Sequence, residues 1–309
     1  MTLNPCLDKT LTVPAWKPGD SVRGRSVREV VGGKGNNVVR ALKRLGQSAA
    51  PVTFLGGAVG ERCRQLFGEE GMEPIAVATA APTREILTVS TEGTADQSAF
   101  FDPDPAITPT EADELIAKAD AALRQPGVEA LTLSGSSPSP ATHGVYSELI
   151  SIAGARRVPV FLDTYGPSLD AIWGFWPTVV QMNRREAAMR LRKPAASDED
   201  VFGLLREWSR RGVAWGVVTD GPGAVFARMG DVLLGATPPQ IEVKNPIGSG
   251  DSMLAGLVDA RLRGMDPESA LRRAVACAAA NASVWDAGAI DPELVARLES
   301  EIEIEVEAA

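Results

Sequence analysis

The chain has 309 residues, of which 44% are apolar and 23% are charged, and these proportions exclude disordered and fibrous classes of protein. The 31 Lys and Arg residues against 40 Asp and Glu residues give a net charge of −9. This charge argues against a general nucleic-acid binder, which needs basic surface, although a few local basic side chains could still bind a small anion in a cleft.

The sequence predicts neither a membrane protein nor a zinc- or disulfide-stabilised one. No apolar run approaches the roughly 20 residues that cross a bilayer, and the first ten residues lack the regions of a signal peptide, so we expect a cytoplasmic protein. Cys6, Cys63 and Cys277 are odd in number and form no CxxC pair. His143, the single histidine, opens an amphipathic stretch and is interpreted as a surface residue at a helix start.

The first hundred residues contain segments that do not fit a regular α/β repeat. Residues 2–5 resemble the end of a first strand that is either very short or begins before this sequence. Segments 11–24 and 83–101 alternate apolar and polar residues around Gly, Asp and Pro, which predicts antiparallel edge strands. We expect them either to pair as a small sheet over one end of the main domain or to remain separate surface hairpins.

The middle of the chain alternates short apolar runs with helical patterns. The runs predict strands at 130–135, 158–163, 177–183 and 213–220, and the patterns between them predict helices at 142–155 and 198–212. Strands separated by helices favour a doubly wound, mostly parallel sheet with helices on both faces, hence an α/β fold. From Ser249 onward we expect mainly helix, at 249–264, 267–285 and 292–307.

A glycine-rich turn at residues 31–37 precedes the helical pattern VVRALKRLG. Glycines before a helix let backbone amides approach a ligand, and Asn37 in the first helical turn could bridge hydroxyl groups. The turn is not a phosphate-binding Walker loop, because Gly35-Asn36 stands in place of Gly-Lys-Ser/Thr. A simple tight turn explains the glycines equally well.

A second glycine-flanked turn, at residues 244–252, leads directly into another helix. The amides from Gly248 to Gly250 could form an anion hole, and Asp251 could act as the base in a phosphoryl transfer. Asp251 could also be an acidic residue favoured by the dipole in the first turn. Asn183 and Glu186 likewise allow two interpretations, either the water shell of a Mg²⁺ ion or a helix-capping pair.

Together these motifs resemble the PfkB (ribokinase-like) carbohydrate kinase family, and most closely its branch of 1-phosphofructokinases and tagatose-6-phosphate kinases. The resemblance covers nearly the whole chain, in the family's order. It rests on residues 2–5 with Asp8, 32–35 with Asn37, 54–57, Thr83-Arg84, 134–136, Asp163-Thr164, Asn183 with Glu186, Thr219 with Gly221 and Gly223, and 248–251.

The resemblance implies a single kinase domain over residues 1–309, with a small β-sheet lid from segments at about 9–28 and 84–103. It implies that Asp251 is the catalytic base and that Gly248, Ser249 and Gly250 form the anion hole. The implied ligands of the sugar hydroxyls are Asp8, Gly33 and Asn37, and those of a phosphate already on the substrate are Arg23, Lys34, Arg84 and Ser136. ATP is expected near Asn183, Glu186, Thr219, Gly221, Gly223, Met253 and Asn281, with Mg²⁺ held by Glu186 through water. A homodimer through the lid is also implied.

Several residues depart from the family pattern. Gln181-Met182-Asn183 replaces the usual Lys-Pro-Asn, Ile86 replaces an Asn, and Pro246 replaces a Thr. Asp102 and Asp104 add two acids close to the expected phosphate pocket. The first expectation is therefore a kinase for fructose 1-phosphate or tagatose 6-phosphate. The alternatives are a kinase for an unphosphorylated sugar or polyol and a catalytically weak sugar or nucleotide sensor.

Overall fold

The computed structural model describes residues 1–93, 97–172 and 176–307. Residues 94–96, part of the second predicted lid segment, therefore lie outside the described residues. The helices are α1 (Lys34–Arg44), α2 (Gly57–Glu69), α3 (Pro109–Leu123), α4 (Val145–Ala155), α5 (Pro167–Ala171), α6 (Arg184–Leu191), α7 (Asp198–Arg210), α8 (Ser249–Leu262), α9 (Pro267–Ala282) and α10 (Pro292–Glu299). The strands are β1 (Cys6–Val13), β2 (Ser26–Gly32), β3 (Val52–Gly56), β4 (Ile75–Thr79), β5 (Arg84–Thr91), β6 (Gln97–Phe101), β7 (Leu131–Ser134), β8 (Val160–Asp163), β9 (Val179–Asn183), β10 (Trp215–Thr219), β11 (Val225–Met229), β12 (Val232–Thr237) and β13 (Glu303–Glu307).

The main sheet has the strand order β13-β12-β11-β10-β9-β8-β7. Its neighbours from β7 to β10 run parallel, as the apolar runs predict, and those from β10 to β13 run antiparallel. The parallel pair β3-β4 adjoins this sheet through Thr2, which makes parallel bridges to both Thr53 and Ser134. The segment at residues 2–5 thus contributes one bridging residue between two sheets.

The prediction of helix over 292–307 is wrong at its carboxyl end. Helix α10 ends at Glu299, and β13 pairs antiparallel with β12. Residues 303–307 alternate Glu with Ile and Val, and this period of two suits a strand rather than a helix.

Helices cover both faces of the main sheet. Successive side chains of a strand point to opposite faces, and Phe161 on β8 packs into a core with α1, α8 and α9. The next residue, Leu162, packs into a second core with α3, α4 and α7, and Val179 and Val180 on β9 alternate in the same way. The described residues contain no helix long and apolar enough to cross a membrane.

A small sheet, with the order β2-β1-β5-β6, is built from the two segments that did not fit the α/β repeat. Its outer pairs are antiparallel, but the predicted direction is wrong for the central pair, because β1 and β5 run parallel. Both central strands are connected to the main domain at their amino ends. Thr2 bridges to Thr53 just before β1 begins, and the Thr83 hydroxyl accepts a 2.9 Å hydrogen bond from the Gly56 amide just before β5.

Candidate active site

A cavity of about 980 Å³ lies between the small sheet and the carboxyl ends of strands β7 to β10. Alternate residues of the small sheet line it, including Asp8 and Thr10 on β1 and Ile86 and Thr88 on β5. The opposite wall includes Asn183 and Thr219 at the ends of their strands, the position at which open α/β sheets bind ligands.

Helix α8 presents its amino end to this cavity. Gly248, Ser249 and Gly250 line the cavity, and no side chain caps the helix, so its first amides have no partner within the helix. Gly248 has φ = +85°, and a Cβ atom there would lie 2.5 Å from Ala287 Cβ, so both conformation and space require glycine. The Ser249 amide already donates to the Pro246 carbonyl at 3.2 Å, so an anion there would compete with this bond, and the anion hole stays a prediction.

Asp251, in the first turn of α8, is buried and only 5% exposed. Its Oδ2 accepts a 2.8 Å hydrogen bond from Asn37 Nδ2, which joins two residues that are 214 positions apart. Burial and the nearby Asp163 carboxylate raise the pKa of Asp251 to about 7, although Lys34 and the Asn37 hydrogen bond oppose the rise. A carboxyl group that titrates near neutrality is suited to general-base catalysis.

Lys34, the first residue of α1, lies between the two walls of the cavity. Its Nζ donates a 2.9 Å hydrogen bond to Asp163 Oδ1 and lies 3.7 Å from Glu186 Oε1 and 5.5 Å from the Tyr165 ring centroid. Burial by itself lowers the pKa of Lys34, but the neighbouring carboxylates outweigh burial and raise it above its ordinary value. The ammonium group is therefore charged and is compensated by Asp163 and Glu186.

Arg84 and Ser136, predicted ligands of a substrate phosphate, line the cavity together with Asn4. We call the part of the cavity wall formed by these three residues the sugar side. The Arg84 guanidinium donates to Asp104 Oδ1 at 3.2 Å, and Asn4 Nδ2 donates to the same oxygen at 2.8 Å and to Ser136 Oγ at 3.5 Å. Asn4 Oδ1 and Arg84 Nε are buried and have no hydrogen-bond partner among the described residues. This wall can accept further polar contacts, although Asp104 already compensates Arg84.

The structure places the other predicted sugar ligands unequally. Asp8 and Gly33 line the cavity, and burial raises the pKa of Asp8, which accepts a hydrogen bond from Cys6 Sγ at 3.4 Å. Arg23 is exposed in the connection between β1 and β2 and does not line the cavity. Arg28, which the sequence did not single out, does line it and pairs with Asp286.

Of the predicted nucleotide ligands, Thr219, Gly221, Met253 and Asn183 line the cavity, whereas Gly223, Glu186 and Asn281 do not. The surrounding lining is largely apolar and includes Pro222, Val225, Pro239, Ile241, Val275 and Ala279. An apolar slot that leads to uncapped helix amides fits a nucleoside triphosphate, with the base in the slot and the phosphates at the amides.

Asn281 has a structural position rather than a free one. Its Nδ2 donates to the Ile247 carbonyl at 2.8 Å, and its Oδ1 accepts from Ser252 Oγ and from the Gly288 amide, at 3.0 and 2.7 Å. These bonds hold the turn before α8 against the loop at 283–288. The hydrogen bonds of Asn281 therefore hold in place the turn that contains the predicted anion hole.

Asn183 and Glu186 form a reciprocal capping pair on α6, with both bonds at 2.9 Å. The second oxygen of Glu186 faces Lys34, and burial raises the pKa of Glu186. The described residues include no group of three or more His, Cys, Asp and Glu that could hold a metal ion. A hydrated Mg²⁺ with Glu186 as a contact through water therefore stays a prediction.

The three departures from the expected pattern all lie at the cavity or beside it. Gln181 is 2% exposed, and its Nε2 donates to the Gly250 carbonyl at 2.7 Å, while its Oε1 has no partner among the described residues. Ile86 and Pro246 line the cavity directly. Gln181 thus holds the Gly250 peptide through a hydrogen bond. It does not supply the positive charge of the Lys that the family pattern has at this position.

The model for the pfkB family of carbohydrate kinases matches residues 1–293. The chain belongs to this family. Phosphofructokinase-2 from Escherichia coli, solved in complex with potassium, shares 25% identity and a TM-score of 0.89 over 97% of this chain and 96% of that one. The same enzyme in complex with fructose-6-phosphate gives 25% identity and 0.85 over 96% and 97%. A possible 1-phosphofructokinase from Thermotoga maritima gives 22% and 0.85 over 99% and 98%. These likenesses confirm the predicted ribokinase-like α/β fold of this pfkB kinase.

Sequence reasoning about this pfkB kinase assigned no role to Asp163, Arg28 or Arg40. Asp163 carried a signal that could have found it, because it is the last residue of a buried parallel strand. Arg28 could have been found from strand alternation, since Val30 lines the same cavity two residues later. Arg40 lies three residues after Asn37 on α1, which is a neighbouring position on the helix surface.

Proposed function

We propose that this carbohydrate kinase transfers a phosphoryl group from ATP to a hydroxyl of a phosphorylated ketohexose, either fructose 1-phosphate or tagatose 6-phosphate. The observation that carries the proposal is the buried carboxylate of Asp251. It is held by Asn37 at 2.8 Å at the start of a helix whose amides are uncapped, inside a cavity shared by both walls. A base beside an anion hole is what phosphoryl transfer to an alcohol requires.

Each residue has a defined part in this reaction. Asp251 takes the proton of the acceptor hydroxyl, and the amides from Gly248 to Gly250 stabilise the charge that spreads over the transferred group. Lys34 adds a positive charge between the sugar side and the nucleotide side. ATP would supply the phosphoryl group. A bound Mg²⁺ would neutralise part of the charge, and Glu186 would contact it through water. The small sheet acts as a lid that keeps water from the site.

A phosphate on the substrate is supported by the sugar-side wall. Arg84 has a side chain only 15% exposed, and its Nε is buried without a hydrogen-bond partner among the described residues. Asn4 lies against both Arg84 and Ser136. The similar phosphofructokinase-2 from Escherichia coli was solved with fructose-6-phosphate. Arg84, Ser136 and Asn4 would therefore bind the phosphate already present on the acceptor.

A second candidate, a kinase for an unphosphorylated sugar or polyol, is favoured by one contact. Asp104 Oδ1 lies 3.2 Å from Arg84 Nη1 and accepts a hydrogen bond from Asn4, so a carboxylate already occupies part of the proposed phosphate pocket. A neutral acceptor would leave this ion pair in place. The two candidates differ in a single measurable property, the preference for a phosphate on the acceptor.

The test is ADP production over a panel of ketohexose phosphates and the matched free sugars, for the wild type and for Asp251→Asn. Wild type should turn over a sugar phosphate best, and Asp251→Asn should lower kcat by at least about a hundredfold with the fold retained. The control is Asp200→Asn, because Asp200 is also a first-turn acid but lies on α7. Equal losses in both variants would reduce Asp251 to a helix-dipole residue. Nucleotide binding without ADP production on any acceptor would favour a sensor.

We also propose that the lid mediates a homodimer. The face of the small sheet opposite the cavity carries Val27 and Phe100, which are 54% and 55% exposed. Their strand neighbours Arg28, Ala99 and Phe101 line the cavity on the other face. A second copy would cover these two exposed apolar side chains. Phe100→Asp should therefore yield a monomer in sedimentation experiments, whereas a wild type that is already monomeric would contradict the proposal.

A further inference from the structure

Arg40 on α1 joins four parts of the molecule through one buried guanidinium group. Arg40 is 9% exposed and donates to both carboxylate oxygens of Glu70, at 2.5 and 2.9 Å. It also donates to the Val31 carbonyl on β2 at 3.0 Å, to the Ala287 carbonyl at 2.9 Å and to Asn37 Oδ1 at 2.9 Å. Arg40 does not line the cavity, so any effect on the reaction must pass through one of these partners.

The guanidinium group determines which end of the Asn37 amide faces Asp251. Arginine has donors and no acceptor, so the Asn37 atom that faces it must be the carbonyl oxygen. The Asn37 NH₂ group is then directed to Asp251 Oδ2, at 2.8 Å. Without Arg40 the amide could rotate by half a turn and accept a hydrogen bond from a protonated Asp251, so Asn37 would no longer favour the carboxylate form alone.

The same guanidinium group fixes two elements around the anion hole. Ala287 lies in the 283–288 loop, where its Cβ leaves no room for a side chain at Gly248. Val31 is the next-to-last residue of β2, and this strand leads into the glycine-rich turn before Lys34. Arg40 therefore ties one edge of the lid and the loop beside Gly248 to the residue that contacts Asp251.

We propose that Arg40 is a positioning residue that orients the Asn37 amide towards the Asp251 carboxylate and aligns the lid and the 283–288 loop with it. The proposal rests on the proposed function only in that Asp251 is taken as the base. The other charged groups that act on Asp251 are Lys34 on α1, Asp163 on β8 and Glu186 on α6, and none of them hydrogen-bonds to Arg40.

The experiment compares Arg40→Met with Arg273→Met. Arg273 is a matched control, because its guanidinium is also buried, 13% exposed, and is bound by Asp259 and Glu299 away from the cavity. The kinetic readouts are kcat, KM for ATP and the pH profile of kcat on the best acceptor. A readout independent of activity is the titration of the Asp251 carboxyl carbon by NMR in aspartate-labelled protein, assigned with Asp251→Asn.

Arg40→Met should lower kcat at least about tenfold with KM for ATP changed less than about twofold, the scale of one hydrogen bond to a charged group. The Asp251 titration should move to higher pH, because the Asn37 donor that favours the carboxylate is lost. Arg273→Met should change neither. Arg40→Lys keeps the charge but cannot span Asn37 and Glu70 with one rigid fork, so it should move the titration in the same direction.

An Asp251 titration unchanged in both Arg40 variants would overturn the inference, and so would a kcat within about twofold of wild type in Arg40→Met. Failure of the proposed function gives a different result. If the wild type phosphorylates no acceptor while the Asp251 titration still moves in Arg40→Met, the proposed reaction is wrong and the positioning role of Arg40 stands.

Discussion

Asp104→Asn isolates the effect of one negative charge in the proposed phosphate pocket. The Asp104 carboxylate lies 3.2 Å from Arg84, and the two side chains are 47% and 15% exposed. A phosphate that hydrogen-bonds to Arg84 would come within about 5 Å of this carboxylate. In a water-like dielectric, a dianion and a monoanion at that distance repel by about 1.7 kcal/mol, which salt reduces to about 1 kcal/mol. The substitution should therefore lower KM for a sugar phosphate about fivefold.

The assay is steady-state ADP production with a sugar phosphate and with the matched free sugar. KM for the free sugar should change less than about twofold, because a neutral acceptor feels no such repulsion. Asp102→Asn is the control, since Asp102 lies two residues away but accepts a hydrogen bond from the Glu85 amide, whereas Asp104 accepts one from Arg84. A higher KM for the sugar phosphate in Asp104→Asn would refute the reasoning and make Asp104 a residue that holds Arg84 in its binding position.

Three further outcomes are expected. Turnover should fall about tenfold for each pH unit below about 7, because the base acts in its deprotonated form and burial raises the pKa of Asp251 to about 7. A kcat that does not change across this pH range would contradict the role of Asp251 as the base. Gly248→Ala should cost about 2 kcal/mol in denaturant unfolding and most of the turnover, because a Cβ at φ = +85° would meet Ala287; unchanged kcat would show that the turn tolerates a shift. Asp259→Asn should lower the free energy of unfolding by about 3 kcal/mol with kcat retained. The reason is that the fully buried Asp259 carboxylate binds Arg263, Arg273 and Gln47. A loss of kcat without a loss of stability would place Asp259 in the catalytic network instead.

Of the seven strands that the main sheet has within the described residues, the four parallel strands β7 to β10 could be predicted because each carries its own signal. The apolar runs at 130–135, 158–163, 177–183 and 213–220 lie in the buried centre of the sheet, where both faces are covered and alternation disappears. The strand at 303–307 does alternate, but it directly follows a helical pattern that masked the change of period. Its pairing with β12 depends on a partner about seventy residues earlier in the chain, which no local pattern reveals.

The residues of the candidate site likewise divide into those that a local sequence pattern predicts and those that depend on contacts made by the fold. Gly248 and Asp251 could be found because a turn and a helix start are local features. The pairs Arg84–Asp104 and Arg28–Asp286 could not, because they depend on how the small sheet meets the loops at 102–108 and 283–288. Asn281 lies in α9, where its side-chain amide donates to the Ile247 carbonyl and accepts from the Gly288 amide, and this connection between two loops could not be predicted from a local pattern either.

These ion pairs explain how an acidic chain can be suited to anionic substrates. Lys34 is paired with Asp163, Arg84 with Asp104 and Arg28 with Asp286. Each carboxylate stabilises its cation before a ligand arrives, with Lys34 and Arg84 half-buried and Arg28 exposed. Under the proposed function, a phosphate would compete with these carboxylates, because it carries more charge and more acceptor oxygens. A neutral sugar cannot displace them in this way. Under the proposed function, a preference for a phosphate on the acceptor would depend on the difference between two anions competing for Arg84, and not on the net charge of the pocket.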